Sequence, residues 1–276
     1  MDLKRSQNLI YQNAALDKKT RAELVEYLES LYPLWEMRYS THNPPPAGDQ
    51  QRRLLRPVYW LGNWQFACLN YYHPPKGIDH RCVEAEEFPL VIKKIVEQIE
   101  TEVHQKFSPR DIPRNWHLNT CLVNYYGSQK INDKWVDTAR VGEHKDFEPG
   151  PVASVSVGER ALFQFVRSHG RDRSQKSEVV LQQWLEDSSL QIFGGDKFKK
   201  QLFHRVQRVE DKGQILFRIP VEGFETRRIN LTFRYVPVEH IQNFSRFPLE
   251  LRNDIRPYLV TLSEHSEYFR SVLASQ

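Results

Sequence analysis

The chain has three cysteines in 276 residues, Cys68, Cys82 and Cys121, and their spacing shows no disulfide framework. No apolar run approaches the ~18 residues that a membrane-spanning helix needs. The opening residues, Met1-Asp2-Leu3-Lys4-Arg5-Ser6, lack the apolar stretch of a secretory leader. These absences argue against a disulfide-stapled secreted scaffold and a helical membrane protein, and they make a reducing cytoplasm the expected compartment. A strong charge of one sign is missing as well. Thirty-nine Lys and Arg against 35 Asp and Glu leave a net +4, too small an excess to establish nucleic-acid binding by itself.

What is present is ordinary globular material. The 39% hydrophobic and 12% aromatic content fits a folded chain and excludes intrinsic disorder. The length suits one large core. Thr20-Arg21-Ala22-Glu23 reads as a capping box, with Leu24, Leu28 and Leu31 following, and predicts a helix over 21–31. His42 to Asp49 is a Pro-rich break. Pro57 to Trp60 reads as extended. Phe88-Pro89 opens a second helix whose Ile92, Ile95, Val96, Ile99 and Val103 form one buried face and which ends near Lys106.

From Leu118 onward the pattern shortens to strands. They are expected over 120–126, 152–157, 161–166, 177–181, 191–193, 203–209, 214–219 and 228–236. Many short strands at hairpin spacing argue for a sandwich or a jelly roll. Polar Ser128 to Lys134 is expected to extend a hairpin at the mouth of a cavity. After Val236, apolar residues from Leu249 to Leu273 predict a helical cap, divided by Pro248 and Pro257.

The chemistry-bearing residues fall in an ordered series. His144 and Asp146 are two apart, and alternation along a strand would put both on one face. His204 follows sixty residues later. Two histidines and one carboxylate make the facial set of non-haem Fe(II) oxygenases, with positions left for substrate and dioxygen. Downstream, Arg228, Asn230, Thr232 and Arg234 alternate along one expected strand. Two guanidinium groups on one face suit a dicarboxylate. A competing metal set, Cys68, His73, His80 and Cys82, has irregular spacing for structural zinc.

The series Asn124-Tyr125-Tyr126, His144-x-Asp146, His204 and Arg228-x-Asn230-x-Thr232-x-Arg234 resembles the AlkB family of Fe(II)- and 2-oxoglutarate-dependent dioxygenases. The flanking Pro151–Gly158, Ala161–Phe165 and Phe193-Gly194-Gly195-Asp196 share in the resemblance, which spans about 55–236. It implies a mainly β fold with helical additions: a double-stranded β-helix core buttressed by N-terminal helices. The organisation expected is a catalytic domain over 1–236, with a helix and substrate-lid region over 1–115 and a core over 116–236. Residues 237–276 would form a helical extension packed on the same domain. The resemblance further implies Fe(II) on His144, Asp146 and His204. It implies 2-oxoglutarate held distally by Arg228 with Asn124 and Tyr126, proximally by Arg234, and supported by Asn230. Dioxygen is the co-reactant, with succinate and carbon dioxide as coproducts.

The resemblance points first to oxidative dealkylation of N-methylated nucleobases in single-stranded or flipped-base nucleic acid, with formaldehyde released. Candidate substrate residues are Trp64 and Tyr72, from the aromatic set Tyr59, Trp60, Trp64, Phe66, Tyr71 and Tyr72, together with Glu148. Phe147 separates Glu148 from the ligand aspartate. Arg52, Arg53 and Arg56 form one basic cluster, and Arg167, Arg171, Arg173 and Lys176 another. Of these, Arg52, Arg53, Arg167, Arg171 and Arg173 are the candidate phosphate contacts. The alternative is hydroxylation or demethylation of a protein side chain or small metabolite, which the same iron site would serve. No obligate protein partner is evident.

Overall fold

In the computed structural model, the residues described are 7–39, 51–65, 82–167, 177–207, 216–247 and 249–275. The elements in chain order begin with β1 (Leu9–Gln12), α1 (Lys18–Ser30), β2 (Met37–Tyr39), β3 (Gln51–Arg53), β4 (Val58–Leu61), β5 (Asn63–Gln65) and β6 (Cys82–Glu84). They continue with α2 (Leu90–Lys106), β7 (Thr120–Ile131), β8 (Lys134–Asp137), β9 (Val141–His144), β10 (Val152–Gly158) and β11 (Ala161–Arg167). The last are β12 (Glu178–Leu185), β13 (Ser189–Phe193), β14 (Phe203–Gln207), β15 (Phe224–Arg234), β16 (Ile241–Gln242), α3 (Leu249–Ser263) and α4 (Glu267–Ala274).

Two antiparallel sheets form the body. The larger runs β1-β13-β10-β15-β7-β4, with β8 also paired to β7; the smaller runs β12-β11-β14-β9. These sheets form the jelly-roll core, and one face of the larger packs against the helices. Ile92, Ile95, Ile99 and Val103 of α2 join Leu24 and Leu28 of α1 in a core shared with Val123, Tyr125, Ile229, Leu231 and Phe233. Ile255, Leu259 and Leu262 of α3 and Phe269 of α4 belong to the same core. Burying this many large apolar side chains is the main source of stability. Among the described residues, no helix is long and apolar enough to cross a membrane.

Several expectations are corrected in detail. Helix α1 starts earlier than the capping box suggests. Asp17 is its N-cap, accepting from Thr20 N at 2.8 Å, so Thr20 supports the cap from inside the helix. Helix α3 continues through Pro257. Pro257 is exposed, and Ile255 and Leu259 on either side are anchored in the core. The break in the tail falls at Ser266, which caps α4. Over 216–219 there is no regular strand, only a single bridge from Phe217 to Thr226. Strand β15 begins at Phe224, four residues before the expected start.

The polar hairpin exists, with Asn132 and Asp133 at φ 48° and 60° in its turn. It continues the β7–β15 ladder past the Arg228↔Tyr126 pair, whereas Arg234↔Thr120 lies at the other end. The hairpin therefore lies at the end opposite Asp146, which Arg234 contacts.

The β7–β15 ladder carries one more feature that shapes the site. Thr226 pairs with Gly127 and Arg228 with Tyr126, leaving Arg227 as an extra residue in a bulge. A Cβ on Gly127 would lie 1.7 Å from Glu225 O, so only glycine permits this approach.

Candidate active site

The cavity lies between the two sheets. Leu122, Asn124, Tyr126, Ser154, Asn230, Thr232 and Arg234 line it from the larger sheet. Val141, His144, Phe163, His204 and Val206 line it from the smaller. The alternation expected for β15 is observed, and register carries it across the sheet. Asn230 pairs with Asn124 on one side and Ser156 on the other, and Arg228 pairs with Tyr126. Directly paired residues share a face. One polar face thus passes from β10 through β15 to β7.

His144 and His204 are Cα partners on β9 and β14, with ring centroids 4.2 Å apart. Asp146 lies beyond the end of β9. Strand alternation is therefore not what brings it to the histidines; the chain turns there after the strand ends. The ligand atoms of His144, Asp146 and His204 all lie within 4.8 Å of one another, and this trio is the only such group among the described residues. His204 Nε2 is 3.3 Å from Asp146 Oδ2, and its ring stacks on Phe163 at 5.4 Å.

The electrostatics favour a ligand set ready for a cation. Burial pushes His144 down to about 3, and His204 beside it adds to the effect, so the imidazole stays neutral. Burial alone would raise Asp146. Arg234 and the hydrogen bond from His204 outweigh it and hold the carboxyl well below the usual range. Arg234 donates Nε and Nη2 to Asp146 Oδ1 at 2.9 and 2.8 Å. Arg234, expected at the proximal end of the cosubstrate, is thus first of all the group that orients the metal-binding carboxylate. The donor set of two imidazoles and one carboxylate fits Fe(II). His204 Nδ1 has no hydrogen-bond partner.

A second polar centre fits a carboxylate. Arg228 is 2% exposed, and its Nη2 donates to Ser156 Oγ at 3.0 Å and to Asn230 Oδ1 at 2.5 Å. Its Nε and Nη1 are buried without a hydrogen-bond partner. Burial pushes this guanidinium below its ordinary value, while Tyr126 acts the other way. The guanidinium carbon lies 4.9 Å from the Tyr126 ring centre. Asn230 is not an independent contact in this arrangement; it holds Arg228, and Ser154 Oγ in turn donates to Asn230 at 3.0 Å.

One residue was misplaced by sequence reasoning. Arg56, grouped with the surface cluster, is buried and lines the cavity. Its Nε donates to Asn124 Oδ1 at 2.7 Å. Strand pairing accounts for this placement: Val58 pairs with Asn124, and Arg56 stands two residues earlier.

The candidate substrate residues divide. Trp64 is corrected to a core residue: it is 1% exposed, and its indole donates to Glu36 at 2.8 Å. Tyr59 and Trp60 are buried too. Tyr72, Phe66, Tyr71, Arg171, Arg173 and Lys176 lie outside the described residues, as do Cys68, His73 and His80 of the alternative metal set. Cys82 is buried. Glu148 is 7% exposed and accepts from Gln65 Nε2 at 3.0 Å, with Arg234 Nε 3.6 Å away. It lines two clefts. One also holds Asp146, Arg110, Lys145, Lys199 and Lys200; the other, Gln65, Cys82, Pro237 and His240.

Among the expected phosphate contacts, Arg53 lies over the Trp35 ring at 4.5 Å. Arg167 pairs with Glu178 at 2.6 Å. Arg52 is in β3. Neither Arg53 nor Arg167 lines the cavity or the two clefts. Lys199, in a π-helical turn over Lys197–Gln201, has its ammonium shielded from solvent. Burial lowers its pKa, and Asp146 and Glu148 oppose that shift.

A profile described as the 2OG-Fe(II) oxygenase superfamily matches residues 8–234. No match is found among curated proteins. Similar solved structures include OsALKBH1, at 22% identity and TM-score 0.48, covering 83% of this chain and 98% of that one. A bsmA homologue from Methylobium petroleophilum PM1 matches at 13% identity and TM-score 0.42, covering 87% and 92%. YcfD, a ribosomal oxygenase from Escherichia coli solved with cobalt and succinic acid, matches at 9% identity and TM-score 0.34, covering 96% and 66%.

Proposed function

Because the chain belongs to the 2OG-Fe(II) oxygenase superfamily, and is therefore an Fe(II)- and 2-oxoglutarate-dependent dioxygenase, we propose that it removes methyl groups from ring or exocyclic nitrogens of nucleobases. Bound iron supplies the chemistry, oxidising a substrate C–H bond with dioxygen while 2-oxoglutarate becomes succinate and carbon dioxide. His144, Asp146 and His204 hold the metal, and Arg234 fixes the orientation of Asp146. Arg228, backed by Asn230 and Ser156, takes the distal carboxylate of 2-oxoglutarate with Asn124 and Tyr126.

The observation that carries the substrate reading is Glu148. It is a buried carboxylate two residues after a metal ligand, held by Gln65 beside Arg234, in the wall of a cleft that reaches Asp146. Methylation of a ring nitrogen that carries no hydrogen gives a cationic base, which a buried carboxylate complements. Arg110 and Lys145 border the same cleft and supply positive charge for the flanking phosphates. Hydroxylation of the N-methyl carbon yields a hemiaminal, which divides into formaldehyde and the unmodified base.

The test is a panel of methylated single-stranded oligonucleotides and methylated peptides, read for formaldehyde and succinate together. The expected result is coupled release from an oligonucleotide, with Glu148→Gln raising its KM most for cationic bases. Formaldehyde from a peptide or small molecule, with none from any oligonucleotide, would overturn the nucleobase reading in favour of the protein or metabolite one.

A further inference from the structure

We infer that Arg56 is a second guanidinium for the distal carboxylate of the 2-oxo acid, and that it makes the site selective for dicarboxylates. This concerns the cosubstrate and holds whichever methylated substrate is turned over.

Strand pairing fixes the position. Val58 opposes Asn124, so Arg56 enters the cavity face one alternation further along, at the level of Tyr126. The two guanidinium groups then share one aromatic ring. Arg56 lies 5.2 Å and Arg228 4.9 Å from the Tyr126 ring centre. Such contacts offset part of the cost of burying each cation but neutralise neither.

No carboxylate among the described residues pairs with Arg56 or Arg228 within ion-pair distance. This is unusual for two arginines of 9% and 2% exposure. Buried charges are ordinarily paired, because desolvation is costly. Arg56 spends one N–H on Asn124; Arg228 keeps two nitrogens without partners. Arg56 lines one end of the cavity and Arg228 stands directly behind Tyr126 and Asn230, which line it too, so two positive charges gather at one end while the other end holds the metal ligands. A 2-oxo acid with a second carboxylate satisfies both ends. One that ends in a methyl group leaves both cations uncompensated. Arg56 thus discriminates by the penalty for failing to reach it as well as by direct attraction.

A purely structural alternative is that Arg56 only clamps Asn124. The two roles separate in a ligand comparison. Protein loaded with Mn(II), as a redox-silent stand-in, is titrated with 2-oxoglutarate and with 2-oxobutyrate, and affinity is read by calorimetry and by ligand-induced thermal stabilisation. Arg56→Met should weaken 2-oxoglutarate about 10- to 100-fold while changing 2-oxobutyrate much less. Arg56→Lys should recover part of the lost selectivity, because the charge returns without the planar fork. If Arg56→Met does not fold, Arg56→Lys decides alone by the same ratio of the two affinities. Equal losses for both acids would make Arg56 a structural clamp and overturn the inference, as would no loss for either. A wild type that gains nothing from 2-oxoglutarate would overturn the cosubstrate cavity as a whole.

Discussion

Arg227 and Arg228 are neighbours on β15, both buried, and their surroundings could hardly differ more. Arg227 donates to Glu159 at 3.1 Å, to Asp137 at 3.1 Å and to Ser128 at 2.5 Å. Two carboxylates and a hydroxyl thus surround its guanidinium. Arg228 has neutral neighbours instead: Nη2 donates to Ser156 and Asn230, the Tyr126 side chain lies beside the guanidinium, and no carboxylate among the described residues forms an ion pair with it. A fold can close a buried charge upon itself or leave it open. A charge left open is what an anion-binding site looks like before its anion arrives. The bulge that makes Arg227 the extra residue gives one strand both kinds of arginine.

The largest effect expected is at the other open end. Asp146→Ala should abolish metal binding and turnover. It also leaves Arg234 facing a site that has lost its carboxylate. Metal affinity can be read by calorimetry and turnover by succinate release. Wild-type turnover would break the ligand assignment.

On the closed side the effect should be on stability instead. Arg227→Met removes the guanidinium that pairs with both buried carboxylates, Asp137 and Glu159. Breaking a buried pair in this way costs ~3–5 kcal/mol, visible as a lower urea midpoint. A loss below about 1 kcal/mol would place Arg227 among the weak surface-like pairs and weaken the contrast with Arg228.

The smallest effect is a pH slope. The unfolded chain takes up a proton on His144 near the ordinary 6.5, while the folded chain resists until about 3. Between those values the unfolded state binds more protons, so metal-free protein loses stability as pH falls. The slope from this one group is up to ~1.4 kcal/mol per pH unit. Asp146 has a depressed folded pKa, and its contribution is lost only as pH drops below the ordinary carboxylate range. Urea midpoints between about pH 4.5 and 6.5 therefore isolate the histidine. His144→Asn should flatten the slope; an unchanged slope would show that other groups carry it.

The polar face of the site was readable because its logic is local. Arg228, Asn230, Thr232 and Arg234 alternate on one strand, and alternation survives folding. The apolar stripe of α2 was legible for the same reason. Three-dimensional convergence was not. Trp64 has the composition of a stacking residue, but its indole binds Glu36, 28 positions away in sequence, a pairing that no local pattern announces. In the sequence Arg56 belongs to one basic cluster with Arg52 and Arg53. Strand pairing sets Val58 against Asn124 and so carries Arg56 to the level of Tyr126, and that depends on register, which one sequence does not reveal. Asp146 reached the metal site although the strand carrying His144 ended before it. A turn after the strand, not alternation along it, brings Asp146 beside the two histidines.

The most direct test of the contrast is made on Arg228 alone, by measuring two quantities in one variant. In Arg228→Met, ligand-free stability should move by no more than about 1 kcal/mol, because an uncompensated buried cation is lost along with its hydrogen bonds. The affinity of Mn(II)-loaded protein for 2-oxoglutarate should fall by about 100-fold, the value of a lost charge-assisted contact. A large loss of stability with affinity little changed would contradict the account, for Arg228 would then be a structural arginine like its neighbour.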